Sequence, residues 1–256
     1  MKRFLLSISI LSVFSCKSVS SQSSLKVVGG LAAEPGSFSS VVKIGSCSAV
    51  RVSEDGYLTA KHCVSENGWQ KGREISISLN YKDKEELNFK GSIAKVFEHS
   101  EEDVALLRLE LPDVPIAMAL INKNTSGTRL TITGYGCNEL YVAGGRSYPG
   151  RGLGYLQTAK VNLFRGSNQS YSPDRYLYVK GLGETMLGDT RVTGPSLCPG
   201  DSGGGLFSED EKGIQRLWGI NSSIHLYSLV STFVRIDPEA DQDVFEWLQE
   251  SLDAET

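Results

Sequence analysis

Ser202 stands in the run Cys198-Pro199-Gly200-Asp201-Ser202-Gly203-Gly204-Gly205. Its flanking glycines lack the Cβ atoms that would hold a substrate carbonyl off the backbone, and they permit a tight turn. A hydroxyl so placed is approachable as a nucleophile. The N–H groups of Gly200 and Ser202 could converge on one point, as the paired donors of an oxyanion hole must. Asp201, between them, has to point the other way, and a carboxylate turned inward needs a cation from elsewhere in the chain. The same run also fits a plain Gly/Ser/Asp turn between strands, so other residues must decide.

A serine nucleophile needs a base. His62, in Thr59-Ala60-Lys61-His62-Cys63, sits where a β-rich run gives way to a turn, from which an imidazole can face a cleft on a fixed backbone. Cys63 could pair with Cys47, closing a loop of about 16 residues worth roughly 3 kcal/mol and holding the histidine in place. A lone histidine also fits a structural or surface position. Asp103 heads the apolar run Val104-Ala105-Leu106-Leu107-Arg108-Leu109 and would be drawn inward, where an imidazole N–H could satisfy it. An exposed aspartate at a strand end is the other reading. Glu101 and Glu102 read as solvated charge, and His99 and His225 as structural. Val27-Val28-Gly29-Gly30 directly follows Lys26, and a cut after Lys26 would create an ammonium on an apolar residue, the cation Asp201 lacks. Without Asp201 this is an ordinary first strand and turn.

These residues must be carried by strands. The chain has 256 residues, 40% hydrophobic and 22% charged, enough for one large all-β domain or two small ones. Its net charge of −4 comes with no long basic run, which excludes a nucleic-acid partner. Ten to twelve short β-rich runs fall between Gly, Ser and Asp turns, the pattern of barrels or a sandwich. Glu74 to Leu79 alternates Ile-Ser-Ile-Ser-Leu, a half-buried strand. Leu111 to Thr128, with two prolines and a glycine, reads as a connector. Residues 243–252, with Val244, Phe245, Trp247, Leu248 and Leu252, form the one convincing helix. There is no internal repeat, no metal-ligand cluster and no cofactor loop.

The N-terminus reads as a leader for export. Lys2-Arg3 precedes an apolar stretch from Phe4 to Phe14, too short to span a bilayer. Val13-Phe14-Ser15-Cys16 resembles the lipobox of bacterial lipoproteins, although Phe14 departs from the small residue usual there. The expectation is a signal peptide over 1–15 with lipid on Cys16, or else a secretory signal and release. Setting Cys16 aside leaves Cys47, Cys63, Cys137 and Cys198, an even number suited to disulfides in an exported protein. Residues 16–26, rich in serine with little to bury, read as a tether or pro-segment.

Taken together, Val27-Val28-Gly29-Gly30, Thr59-Ala60-Lys61-His62-Cys63, Asp103-Val104-Ala105-Leu106-Leu107, Gly134-Tyr135-Gly136 and Gly200-Asp201-Ser202-Gly203-Gly204 resemble the trypsin/chymotrypsin family of serine endopeptidases. They occur in that family's order, His, Asp, Ser. The resemblance implies an all-β fold of two antiparallel six-stranded barrels (about 27–121 and 129–236) and a C-terminal helix, together a peptidase domain over 27–252. It implies Ser202 as nucleophile, His62 as base and then acid, Asp103 as the residue orienting His62, and an oxyanion hole from Gly200 and Ser202. It further implies a zymogen cut between Lys26 and Val27, whose new N-terminus pairs with Asp201. Lys61 and Gly205 depart from the family pattern without touching the chemistry. Cys198 lacks the family's usual downstream partner, and Cys137 is expected in its place. By position the specificity pocket has Ser196 at its floor, Ser222, Ser223 and Ile224 along a wall, and Ser231 near its base. No carboxylate at the floor argues against cleavage after Arg or Lys, so another protease would activate the chain; Ile224 narrows the pocket to small or medium apolar side chains. The implied partners are a polypeptide substrate and that activating protease, with no cofactor and a monomeric state. A binding protein on the same scaffold that performs no catalysis is the alternative. Asn124, Asn168 and Asn221 sit in N-x-S/T triplets that the lipobox argues are unmodified.

Overall fold

The computed structural model describes residues 30–121, 129–137, 140–143, 146–149, 152, 154–164, 172–181, 184–187, 190–193, 195–209, 212–225, 230–240 and 242–254. The expected leader, Cys16, the Lys26–Val27 junction, Asn124 and Asn168 lie outside them.

The first β-rich runs close into a ring. Val41–Ile44, Cys47–Arg51, Gly56–Thr59, Ala105–Glu110, Leu87–Glu98 and Glu74–Leu79 pair in that order, all antiparallel, and the last returns to the first. Side chains alternate along each strand. Val42, Ala49, Tyr57 and Leu107 therefore fill this barrel, while Val41, Val50, Leu58 and Leu106 face a second cluster outside it. Both faces are buried, which is why these runs are nearly continuous in apolar residues. In Glu74–Leu79 only one face is wholly covered at the start, and Glu74 and Ser76 are exposed between buried Ile75 and Ile77.

A second ring follows. Arg129–Gly134, Gln157–Leu163, Tyr176–Gly181, Val230–Arg235, Gln215–His225 and Gly205–Glu209 pair in that order, and Gly205–Glu209 returns to Arg129–Gly134. Leu31–Ala32 adds to the edge of Gln157–Leu163, and Leu120–Ile121 runs parallel to Gln215–His225. The two six-stranded barrels expected from the resemblance are present, and the cluster of Val41, Leu58 and Leu106 joins them by meeting Tyr135, Phe207, Ile220 and Val234. The helix Gln242–Asp253 buries Val244 and Leu248, four residues apart on one face, against the same cluster. Among the described residues, no helix is long and apolar enough to cross a membrane.

Two expectations need correction. His62 does not sit in a turn: Lys61–Asn67 is a short helix ended by Gly68 at φ 61°. Seven residues are too few for a helical period to stand out in the sequence. Glu102 is not solvated but 2% exposed. Arg175, from the second barrel, donates to both Glu101 Oε2 at 2.9 Å and Glu102 Oε1 at 3.0 Å, an ion pair between chain segments that no local reading could anticipate.

Candidate active site

Strand pairing explains how His62 and Asp103 meet. In the first barrel Thr59 lies opposite Ala105 in the antiparallel pair Gly56–Thr59 and Ala105–Glu110. The residues just after Thr59 and just before Ala105 are therefore neighbours at one rim. Asp103 Oδ2 lies 2.8 Å from His62 Nδ1, and Asp103 Oδ1 accepts the backbone N–H of His62 at 2.9 Å. From the second barrel, Ser222 Oγ donates to Asp103 Oδ2 at 2.7 Å. The hydrogen bond to Asp103 raises the pKa of His62, against partial burial, and Glu66 adds a smaller push in the same direction. Burial pushes the Asp103 carboxyl up, but the bonds from the His62 ring, Ser222 and the His62 amide together bring it below its ordinary value. An ionised Asp103 fixes the proton on Nδ1 and leaves Nε2 as the basic nitrogen. The segment leading to Asp103 is itself held: His99 Nδ1 accepts the N–H groups of Glu101 and Glu102, and Lys61 Nζ donates to the carbonyl of His99 at 2.8 Å.

Ser202 sits on the tight turn between Cys198 and Gly205. Gly200 adopts φ 97°, a conformation that side chains with a Cβ rarely take. Two disulfides brace the cleft: Cys47–Cys63 behind His62, and Cys137–Cys198 joining the Ser202 turn to the Gly134-Tyr135-Gly136 segment. Asp201 turns away from the cleft and is fully buried. Its carboxylate accepts N–H bonds from Gly136 at 2.8 Å and Cys198 at 2.9 Å. A Cβ on Gly136 would come within 2.6 Å of that carboxylate, so only glycine admits it. Among the described residues no cation pairs with Asp201. Burial pushes its pKa up to about 7, and the two N–H bonds offset only part of that.

One cleft gathers His62, Gly200, Ser202, Ser222, Ser223 and Ile224, with Ser46, Cys47 and Glu66 also on its wall. No direct hydrogen bond joins Ser202 to His62 in this structure. Ser196 and Ser231 do not line the open cleft; both are fully buried, and Ser231 Oγ accepts the N–H of Leu197 at 2.9 Å. Ile224 packs against the second barrel's interior cluster, which includes Leu197. Cys47, Cys63 and His62 lie within 4.8 Å of one another, but the two sulfurs are bonded together and offer no thiolate to a metal.

Sequence reasoning missed several residues here. Ser48 is fully buried and sends its hydroxyl to the carbonyl of Gly200 at 2.9 Å. Asn221 is also fully buried, so its N-x-S triplet is closed to a glycan. Lys61, whose departure from the family pattern was visible, anchors the Asp103 segment. Glu66 lay on no motif.

Residues 27–228 match the family model described as Trypsin. Among curated proteins the chain has no match. The matched span takes in the whole first barrel, the paired imidazole and carboxylate, and the Ser202 turn, and on that agreement the chain belongs to the trypsin family of serine proteases.

Proposed function

We propose that the protein is a serine endopeptidase that cleaves polypeptides through an acyl-enzyme. One observation carries the reading: an imidazole paired with an aspartate at 2.8 Å and an approachable serine line one cleft. Ser202 Oγ attacks the scissile carbonyl while His62 Nε2 takes its proton, and Asp103 stabilises the imidazolium through Nδ1–H. The oxyanion accepts the N–H groups of Gly200 and Ser202. His62 then protonates the departing amine, leaving Ser202 esterified. Water, deprotonated by the same imidazole, attacks the ester, releases the acid and restores the hydroxyl. A nucleophile–base contact that is open in the free enzyme commonly tightens when substrate binds, which suits the unjoined Ser202 and His62.

The wall formed by Ser222, Ser223 and Ile224 carries no carboxylate, and Ile224 gives it an apolar side chain. Small or medium apolar side chains fit there, and cleavage after Arg or Lys is disfavoured. Activation by another protease between Lys26 and Val27 completes the proposal. A buried Asp201 with a raised pKa is the group that a new ammonium would stabilise. Export, with lipid on Cys16 or release after a signal over 1–15, accords with two disulfides.

Labelling with a fluorophosphonate before and after the cut at Lys26 tests the reading. Ser202 should be modified, more rapidly after the cut, and Ser202→Ala should abolish labelling. A correctly cut chain that stays unlabelled and hydrolyses no peptide or ester would make it a binding protein on this scaffold.

A further inference from the structure

The hole for the oxyanion depends on which way two peptide planes face. In a trans peptide the C=O and N–H point in opposite directions, so holding the carbonyl aims the amide. The Pro199 carbonyl, which aims Gly200 N–H, accepts the N–H of Cys137 at 3.0 Å. The Asp201 carbonyl, which aims Ser202 N–H, accepts the N–H of Gly204 at 2.9 Å and the side-chain amide of Asn221, Nδ2, at 2.8 Å. Neither Gly200 N–H nor Ser202 N–H is used by another described residue, and both residues line the cleft.

Asn221 is fully buried on the strand Gln215–His225. Its Nδ2 spends both protons, one on Asp201 O and one on Thr133 O at 2.8 Å. Its Oδ1 has no partner. The reverse amide orientation would set Oδ1 against two carbonyls, so the hydrogen-bond network fixes the one described. A buried amide with an unmatched acceptor is costly. What the amide supplies is a second grip on the one carbonyl whose peptide carries the amide of the nucleophile.

We infer that Asn221 is a positioning residue for oxyanion stabilisation: its side-chain amide holds the Asp201–Ser202 peptide so that Ser202 N–H faces the charge that develops on the substrate. The inference rests on the acyl-transfer reading above. The residue touches no substrate and acts only through the Ser202 amide.

The test compares wild type with Asn221→Val, which removes both donors at similar volume, and Asn221→Thr, which keeps one. Rates are taken per active site titrated with fluorophosphonate, so that loss of folded protein does not enter. Asn221→Val should lower kcat about 10- to 100-fold with KM within twofold. Affinity for a peptide aldehyde, whose adduct carries the oxyanion, should fall in parallel with kcat. Asn221→Thr should fall between the two. A kcat per titrated site within twofold of wild type, or an unchanged aldehyde affinity, would overturn the inference while leaving the peptidase reading intact. Failure of both variants to fold would assign Asn221 to interior packing and also overturn it. A wild type with neither labelling nor turnover would remove both readings together.

Discussion

The two barrels meet at one cleft but have different interiors. The first closes around Val42, Ile44, Ala49, Tyr57, Ile77 and Leu107, all fully buried. The polar residues it buries completely, Ser48 and Thr59, sit beside the cleft, while Arg108 reaches Asp55 and the carbonyls that end the C-terminal helix. The second barrel has Leu130, Ile132, Leu206 and Phe233, but Thr133, Gln157, Ser196, Asp201, Asn221 and Ser231 are fully buried with them. The difference matches what each contributes. The first presents two side chains from paired strand ends, set on an apolar interior and pinned at the rim by Cys47–Cys63 and by the bonds that Lys61 and His99 make to the Asp103 segment. The second has to fix peptide planes, and only hydrogen bonds do that. Truncation of apolar residues should therefore act on stability in the first barrel, and truncation of polar ones on rate in the second.

The largest effects should ignore this division. In the proposed mechanism Ser202 and His62, from different barrels, act as one unit, so Ser202→Ala or His62→Ala alone should lower kcat by about six powers of ten, and the double variant little further. Asp103→Asn, which leaves the wrong nitrogen of His62 protonated, should cost about 10⁴. Steady-state rates on an activated ester check this; a double variant far below either single one would mean that the residues work independently. Stability should then separate the barrels. Leu107→Ala should cost 2–5 kcal/mol in urea unfolding, in the order of magnitude expected of a well-packed site, with kcat per folded molecule unchanged. Removing Cys47–Cys63, with a sequence separation of 16, should cost about 3 kcal/mol. Removing Cys137–Cys198, with a separation of 61, should cost about 4 kcal/mol and lower kcat as well, since it ties the Ser202 turn to Gly136. Equal effects of the two on kcat would undo the contrast.

Asp201 sharpens the contrast through pH. Its pKa rises from 3.8 in the unfolded chain to about 7 in the fold, so between those values the folded state binds more protons than the unfolded one. Stability must then fall as pH rises from about 4 to 7, by on the order of 4 kcal/mol from this group alone. His62, also raised, adds a loss of the same sign as pH climbs through its folded value. Asp201→Asn should remove most of the slope, and so should the proposed cut after Lys26, because a nearby ammonium brings the carboxyl's pKa back down. Urea unfolding across that pH range, on cut and uncut chains, measures both. A slope unaltered by the cut would exclude pairing of the new N-terminus with Asp201.

What could be read in the sequence follows the same line. The first barrel's strands, the Thr59-to-Cys63 and Asp103 motifs and the Ser202 turn were legible because apolar runs bounded by turn residues, the alternation in Glu74–Leu79 and glycine placement are local signals. The pairing of Cys137 with Cys198 was legible from a departure, since the family's usual partner for Cys198 is missing and Cys137 is the cysteine left over. Ser48 and Asn221 were not legible. Each is a polar residue inside a strand, and its use depends on a carbonyl 152 or 20 positions away in the chain. Glu102 was misread for the same reason, its partner Arg175 lying 73 positions on. Asp201 announced a need for charge compensation, yet two backbone amides answer it in part, and backbone donors leave no mark in a sequence.

The smallest expected effect tests whether the cleft wall contributed by the first barrel tunes the base as well as holding it. Glu66 lines the cleft, is exposed, and acts on His62 through space, whereas Asp103 acts through a hydrogen bond. A negative charge near an imidazole favours the protonated ring, so Glu66 raises the pKa at which His62 becomes a base. Glu66→Gln should therefore move the acid limb of the kcat/KM profile to lower pH, and Glu66→Lys should move it further. Because Glu66 faces solvent, the shift should shrink when salt shortens the screening length from about 30 Å at 0.01 M to about 10 Å at 0.1 M. Asp103→Asn offers no such graded answer, since it changes which nitrogen carries the proton. A limb that moves upward in Glu66→Gln, or stays fixed at low salt, would show that the charge on this wall does not reach the imidazole and that the first barrel's part is support alone.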